Sequence, residues 1–117
     1  MRTQPLFAVL ALLALAGCAS DPAPHEQLRL SEQALEQAKA VGATDEVAEL
    51  KLAEEKLARA RSNMASESYR DARMRAEQAE LDARLAEARV LTLKSQEQLT
   101  LLQSRVDRLR KQLGEQQ

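Results

Sequence analysis

A chain of 117 residues with 17 Lys and Arg, 18 Asp and Glu and a single His has a formal charge of −1 and room for one small domain. That balance excludes the strongly basic surface of a nucleic-acid binder, and 2% aromatic residues leave little with which to line the deep pocket that small-molecule enzymes and receptors use. One Cys and one His cannot assemble a disulfide framework, a Cys or His metal cluster, a Ser-His-Asp triad or a Cys-His pair within one chain, so no enzymatic activity, metal or cofactor is expected.

Met1 and Arg2 make a positively charged start, and the apolar run from Leu6 to Ala16 is much shorter than the roughly 20 residues a membrane-spanning helix needs. Leu15-Ala16-Gly17-Cys18 closes that run. These residues resemble the lipobox of bacterial lipoprotein signal peptides, in which an aliphatic residue, a small residue and Gly or Ala precede an invariant Cys. The resemblance implies that residues 1–17 are a signal peptide cut after Gly17. It further implies that the Cys18 thiol receives diacylglycerol and that the new amine takes an acyl chain such as palmitate. Ala16 and Gly17 present a narrow backbone to the modifying enzymes. Two or more acyl chains, at about 0.8 kcal/mol per buried methylene, give stable anchoring where one is marginal. Ala19 follows Cys18, whereas Asp there is the common signal for retention in the inner membrane, so the expected location is the outer membrane, facing the periplasm.

Residues 18–24 read as a lipidated tether, in which Pro22 and Pro24 favour extended backbone and Pro24 suits a helix start. From His25 to Leu113 the only glycine is Gly42, so little else breaks a helix. A first helix is expected from His25 to Val41, with Leu28, Leu35 and Ala38 on one stripe and Leu30, Ala34 and Val41 beside it, ending at a left-handed Gly42. Thr44 is the expected N-cap of a second helix, with Asp45 and Glu46 complementing the dipole in its first turn. Its seam is Leu50, Ala53, Leu57, Ala60 and Met64, spaced 3, 4, 3 and 4.

Ser62-Asn63 and Ser66-Glu67-Ser68 interrupt that pattern, and Ser68 with Asp71 is spaced like a capping box at the start of a third helix. This helix meets no Gly or Pro until Gly114. Its first seam, Tyr69, Ala72, Ala76, Ala79, Ala83, Ala86, Val90 and Leu93, is built of small residues that admit a close neighbour. A second seam on a different face comprises Leu99, Leu102, Val106, Leu109 and Leu113, so the third helix is expected to change partner along its length. The fold expected is all-α. It is a helical hairpin or three-helix bundle over residues 25–93, with a long, coiled-coil-like C-terminal helix protruding over 94–117. Fewer than three heptads make a lone coiled coil marginal, so the second seam is expected to pair with a copy of itself, pair with another protein, or fray.

The central block resembles the bacterial lipoproteins and envelope proteins grouped as domain of unknown function 4398. The resemblance rests on Ala34, Ala38 and Val41-Gly42-Ala43, on Ala53 with Lys56-Leu57 and Ala60, and on Tyr69, Ala72, Ala76, Ala79 and Asp82-Ala83-Arg84-Leu85-Ala86. The family often has Ala-Pro where this chain has Glu46-Val47. Some members look like adaptors placed before peptidoglycan-binding domains, so the resemblance implies a helical fold and an envelope role and supplies no catalytic residue.

Charge is distributed unevenly: Asp21 to Leu57 holds 4 basic and 9 acidic residues, and Arg84 to Lys111 holds 7 basic and 3 acidic. Arg105, Arg108, Arg110 and Lys111 either complement the C-terminal dipole of the third helix or meet an anionic partner such as peptidoglycan carboxylates. His25, Asp45-Glu46 and Glu54-Glu55 are expected on solvated faces with no chemical role. The functional expectation is a lipid-anchored lipoprotein with a structural or adaptor role, held to the membrane through Cys18 and associating through the Leu99 to Leu113 seam. The partner is a second copy, an envelope protein, or peptidoglycan. The chain ends Gly114-Glu115-Gln116-Gln117 without a lysine, so wall contact is expected to be noncovalent. The alternative is a periplasmic lipid or amphiphile carrier whose first two helices open to expose their Ala and Leu faces.

Overall fold

Two reversals of direction organise the chain, and each is built from the same backbone device. The computed structural model describes residues 21–114, which form helices α1 (His25–Ala40), α2 (Ala48–Ala65) and α3 (Tyr69–Gly114), with no strand among the described residues. At the end of α1, Gly42 takes φ +102°, Ala43 N–H donates to the Ala38 carbonyl and Gly42 N–H to the Lys39 carbonyl, both at 2.9 Å. This paired arrangement satisfies two of the carbonyls a helix end leaves open, and Ala43 and Ala38 are both buried beneath it. The end of α2 repeats the device: Glu67 N–H donates to the Met64 carbonyl at 3.1 Å and Ser68 N–H to the Asn63 carbonyl at 2.9 Å. Here the left-handed position is filled by Glu67, at φ +60°.

The start of α2 differs from the expected one. Val47 N–H bonds the Thr44 carbonyl at 2.8 Å, closing a tight turn, and Val47 itself is extended, so the helix begins at Ala48. Asp45 and Glu46 therefore precede the helix, and the first-turn carboxylate is Glu49. The residues that cap propensity assigns to a first turn are consumed in reversing the chain, a case of tertiary geometry outweighing a weak local preference. Ser68 likewise does not form the expected capping box. Its carbonyl receives Ala72 N–H at 2.9 Å, while its hydroxyl lies 3.4 Å from Ser66 Oγ.

Helices α1 and α2 both pack chiefly on α3 and only lightly on each other. The reason is side-chain size. Ala72, Ala76, Ala83 and Ala86 of α3 are fully buried, and the small methyl groups of Ala79, Ala83 and Ala86 let two helices approach closely enough for Leu35, Leu50 and Leu57 to share one core with them. Ser31 is the one buried polar residue among the described residues. Its hydroxyl is 2.7 Å from the Gln27 carbonyl in its own helix and 2.7 Å from the Ala76 carbonyl of α3, so it sits in an otherwise alanine-lined contact without an unmet hydrogen bond. The alanine seam ends at Val90. Leu93 is 53% exposed, because the reversal between α1 and α2 has already ended the covering layer. Tyr69, at the other end of the seam, is half-buried.

Candidate association surface

From Leu91 to Gly114 every residue of α3 is exposed. The helix has 46 residues, about 69 Å at 1.5 Å each, and its last half lies beyond the reach of α1 and α2. Leu99, Leu102, Val106, Leu109 and Leu113 share one face of that half and are between 45% and 67% exposed.

The same 3,4 spacing continues backwards from Leu99 through Ser95, Thr92, Ala88, Leu85, Leu81 and Gln78 to Met74. Leu81, Leu85 and Met74 are exposed as well, so exposed apolar residues on this face do not begin at Leu99 but recur from Met74 to Leu113, with Gln78, Ala88, Thr92 and Ser95 between them. This face lies roughly 150° around the helix from the alanine seam at 3.6 residues per turn. Helix α3 therefore carries two faces at once over its first half rather than exchanging one for the other. Reading the heptad frame upstream of Leu99 would have found Leu81 and Leu85; small and polar residues at Ala88, Thr92 and Ser95 concealed the continuity.

The four basic residues divide around this face. In the heptad frame Arg105 and Arg110 flank the stripe on its two sides, while Arg108 and Lys111 fall behind it, and all four are exposed. Asp107 lies 3.9 Å from Arg110, a loose pair between two largely exposed side chains. Leu15, Ala16, Gly17 and Cys18 lie outside the described residues. The chain leading to them is held near the start of α3, where Arg73 Nη2 donates to the Pro22 carbonyl at 3.3 Å, at the end of the bundle remote from the projecting helix.

Charged pairs fasten the register of the bundle. Lys39 meets Glu54 at 2.8 Å and Arg61 meets Glu32 at 2.7 Å between α1 and α2, while Lys56 pairs with Asp82 and Arg89 with Glu49 between α2 and α3. Glu54 is thus a structural partner of Lys39; His25, Asp45 and Glu46 are exposed. Gln27 donates to Glu80 at 2.7 Å, and this bond, with Arg84 beside it, holds the Glu80 carboxyl below the usual Glu range. A bond from its own backbone N–H at the helix start, assisted by Arg89, lowers the Glu49 carboxyl in the same sense. Glu49 Oε2 is buried without a hydrogen-bond partner.

A cleft of about 480 Å³ opens where the covering layer ends, between Gly42, Val47, Val90 and Leu93, with Glu46, Arg89, Lys94 and Glu97 around it. Of its charged groups, Arg89 pairs with Glu49 and Lys94 donates to the Val41 carbonyl. Among the described residues no helix is long and apolar enough to cross a membrane.

These features define an all-α protein in which two short helices brace one long helix, leaving a stripe of exposed apolar residues along it that Gln78, Thr92 and Ser95 interrupt. The chain belongs to the family described as Domain of unknown function (DUF4398), whose model matches residues 26–102, from the first turn of α1 to the middle of the projecting half of α3. It is similar to the crystal structure of a DUF4398 family protein from Pseudomonas aeruginosa PAO1, with 68% sequence identity and a TM-score of 0.79 over 82% of this chain and 100% of that one. No curated protein matches the chain.

Proposed function

We propose that the protein is a lipid-anchored lipoprotein of the cell envelope, facing the periplasm from the outer membrane, with a structural or adaptor role. The observation that carries this reading is the projecting half of α3, a stiff arm whose leucine face is left uncovered at the end of the bundle opposite the tether. The lipobox ending in Cys18 supplies the anchor. A fixed base and an exposed apolar arm suit a protein that holds a partner at a set distance from a membrane. The exposed Arg105, Arg108, Arg110 and Lys111 near its tip favour an anionic partner, either an acidic protein face or peptidoglycan carboxylates.

Crosslinking in intact envelopes followed by pull-down tests the role. Burying a leucine contributes roughly 1.5 to 3 kcal/mol, so Leu102→Asp with Leu109→Asp is expected to abolish capture of the partner or of isolated peptidoglycan. The helical signal of the bundle should persist, because neither residue contacts α1 or α2. Unchanged capture would overturn the adaptor reading. The anchor is tested separately: Cys18→Ala should leave an unprocessed or soluble chain, and mature protein that stays membrane-bound in that variant would remove the lipid from the proposal.

A further inference from the structure

We infer that the apolar face of α3 from Leu81 to Leu113 pairs with the same face of a second copy running in the opposite direction. This deepens the reading of the distal leucines as an association surface and rests on it. The starting observation is the frame itself. A stripe with strict 3,4 spacing drifts around a straight α-helix by about 20° per heptad, so only another helix coiling along it covers its whole length. A flat or globular partner would meet a few turns and leave the rest wet.

Charge beside the stripe decides the direction. In a parallel, in-register pair each residue just before Gln78, Leu85, Thr92, Leu99 or Val106 of the stripe faces the second copy's residue five further on. Glu77 would then face the second copy's Asp82, Arg84 its Arg89 and Arg105 its Arg110, so each charged contact joins like charges. The antiparallel registers differ from one another by whole heptads. Superposing the full stripes sets Arg84 against Arg105 and Arg75 against Arg110. A register one heptad shorter at one end puts Leu81 opposite the second copy's Leu113 and Leu85 opposite its Leu109. The flanking contacts then become Asp82 with Arg110 and Arg89 with Gln103, and no two flanking positions of like charge face each other, although Arg110 joins Lys56 at the Asp82 carboxylate. Asp82 already accepts Lys56 at one oxygen, Oδ2, which leaves Oδ1 for the second cation.

The size is adequate. Residues 81–113 are about 50 Å of helix roughly 10 Å wide, a footprint near 500 Å² a side and about 1,000 Å² in all, the lower bound for a specific interface. Leu81 and Leu85 are exposed beside the bundle, while Lys56 and Glu49 of α2 reach Asp82 and Arg89 on one flank of the stripe. In this pair the two bundles lie at opposite ends of a rod, with the two Tyr69 residues roughly 80 Å apart.

The test uses residues 21–117, which contain the packed core of the described residues and lack Cys18, so introduced cysteines are the only thiols. With Leu85→Cys and Leu109→Cys in one chain, mild oxidation is expected to trap a covalent dimer, and each single cysteine alone is expected to stay monomeric on a non-reducing gel. The like residues lie about 36 Å apart along the antiparallel rod but share a layer in a parallel one. Self-linking by Leu85→Cys alone would overturn the antiparallel arrangement. Absence of any linked species, with monomer in sedimentation at tens of micromolar, would overturn self-pairing altogether. If self-pairing fails while Leu102→Asp with Leu109→Asp still abolishes capture from envelopes, a different helix occupies the stripe and the adaptor reading stands. If the disulfide dimer forms and envelope capture ignores those leucines, self-pairing stands and the adaptor reading fails.

Discussion

Lys94 Nζ donates to the Val41 carbonyl at 2.6 Å, so α3 supplies the cation that closes the end of α1. The same ammonium lies over Gly42, where an added Cβ would meet it at 3.4 Å. A positive charge at a helix C-terminus contributes about 0.3 to 1 kcal/mol and weakens with salt. Lys94→Met keeps most of the aliphatic stem and removes the donor. It is expected to lower Tm by a few degrees in low salt, with the difference from the parent shrinking at 1 M salt, read by thermal unfolding under circular dichroism.

The two reversals share a hydrogen-bond pattern but differ in the residue at the left-handed position. Glu67 holds φ +60°, where an L side chain costs roughly 1 to 2 kcal/mol, part of which is offset by the extra chain entropy a glycine loses on folding. Glu67→Gly is expected to stabilise the fold by about 0.5 to 1 kcal/mol. Gly42→Ala should destabilise it by at least as much, since φ +102° lies further from what alanine adopts. Urea unfolding of the two variants beside the parent checks both signs.

Two alanines five residues apart on α3 should respond oppositely to enlargement. Ala83 is fully buried in the alanine seam, so Ala83→Leu must push α1 or α2 away and is expected to cost about 1 to 3 kcal/mol. Ala88 is exposed on the opposite stripe, and Ala88→Leu should leave the stability of the bundle within about 0.5 kcal/mol of the parent. Paired denaturation curves distinguish a seam that needs small residues from a helix that merely contains many.

Acid should loosen the bundle through Glu80 and Glu49. Both carboxyls are held below the ordinary Glu value, Glu80 chiefly by the Gln27 amide and Glu49 chiefly by its own backbone N–H. The unfolded chain then binds more protons than the folded one around pH 4, so stability rises with pH there. Their contribution is fully present above the unfolded Glu value of about 4.3 and is lost as pH falls through the lower folded values. Glu80→Gln is expected to flatten the decline in Tm between pH 6 and about pH 3, measured against the parent in the same buffers.

Much of the architecture was legible in the residues because it depends on local periodicity. Leu50, Ala53, Leu57 and Ala60 fall at helical spacing, and so do the alanines from Ala72 to Ala86. Any helix that forms there presents them as one face, and the face is buried. Gly42 was equally readable, since a left-handed helix end selects for the residue without a Cβ. The late start of α2 was not readable. Thr44-Asp45-Glu46 is a good helix start by propensity, and only the need to turn back onto α3 explains why it is a tight turn instead. Glu67 in a left-handed position and Ser31 between two carbonyls were hidden for the same reason, as neighbours distant in sequence hold each in place. The proposed membrane anchor rests on the lipobox resemblance of Leu15 to Cys18 alone, outside the described residues. The extent of the exposed stripe was decided by tertiary structure. Spacing alone does not say which of two apolar faces a helix turns toward its own chain. The alanines took that role because only methyl groups let two helices come so close to a third, and this left Leu81 and Leu85 on the outer side, in line with Leu99 to Leu113.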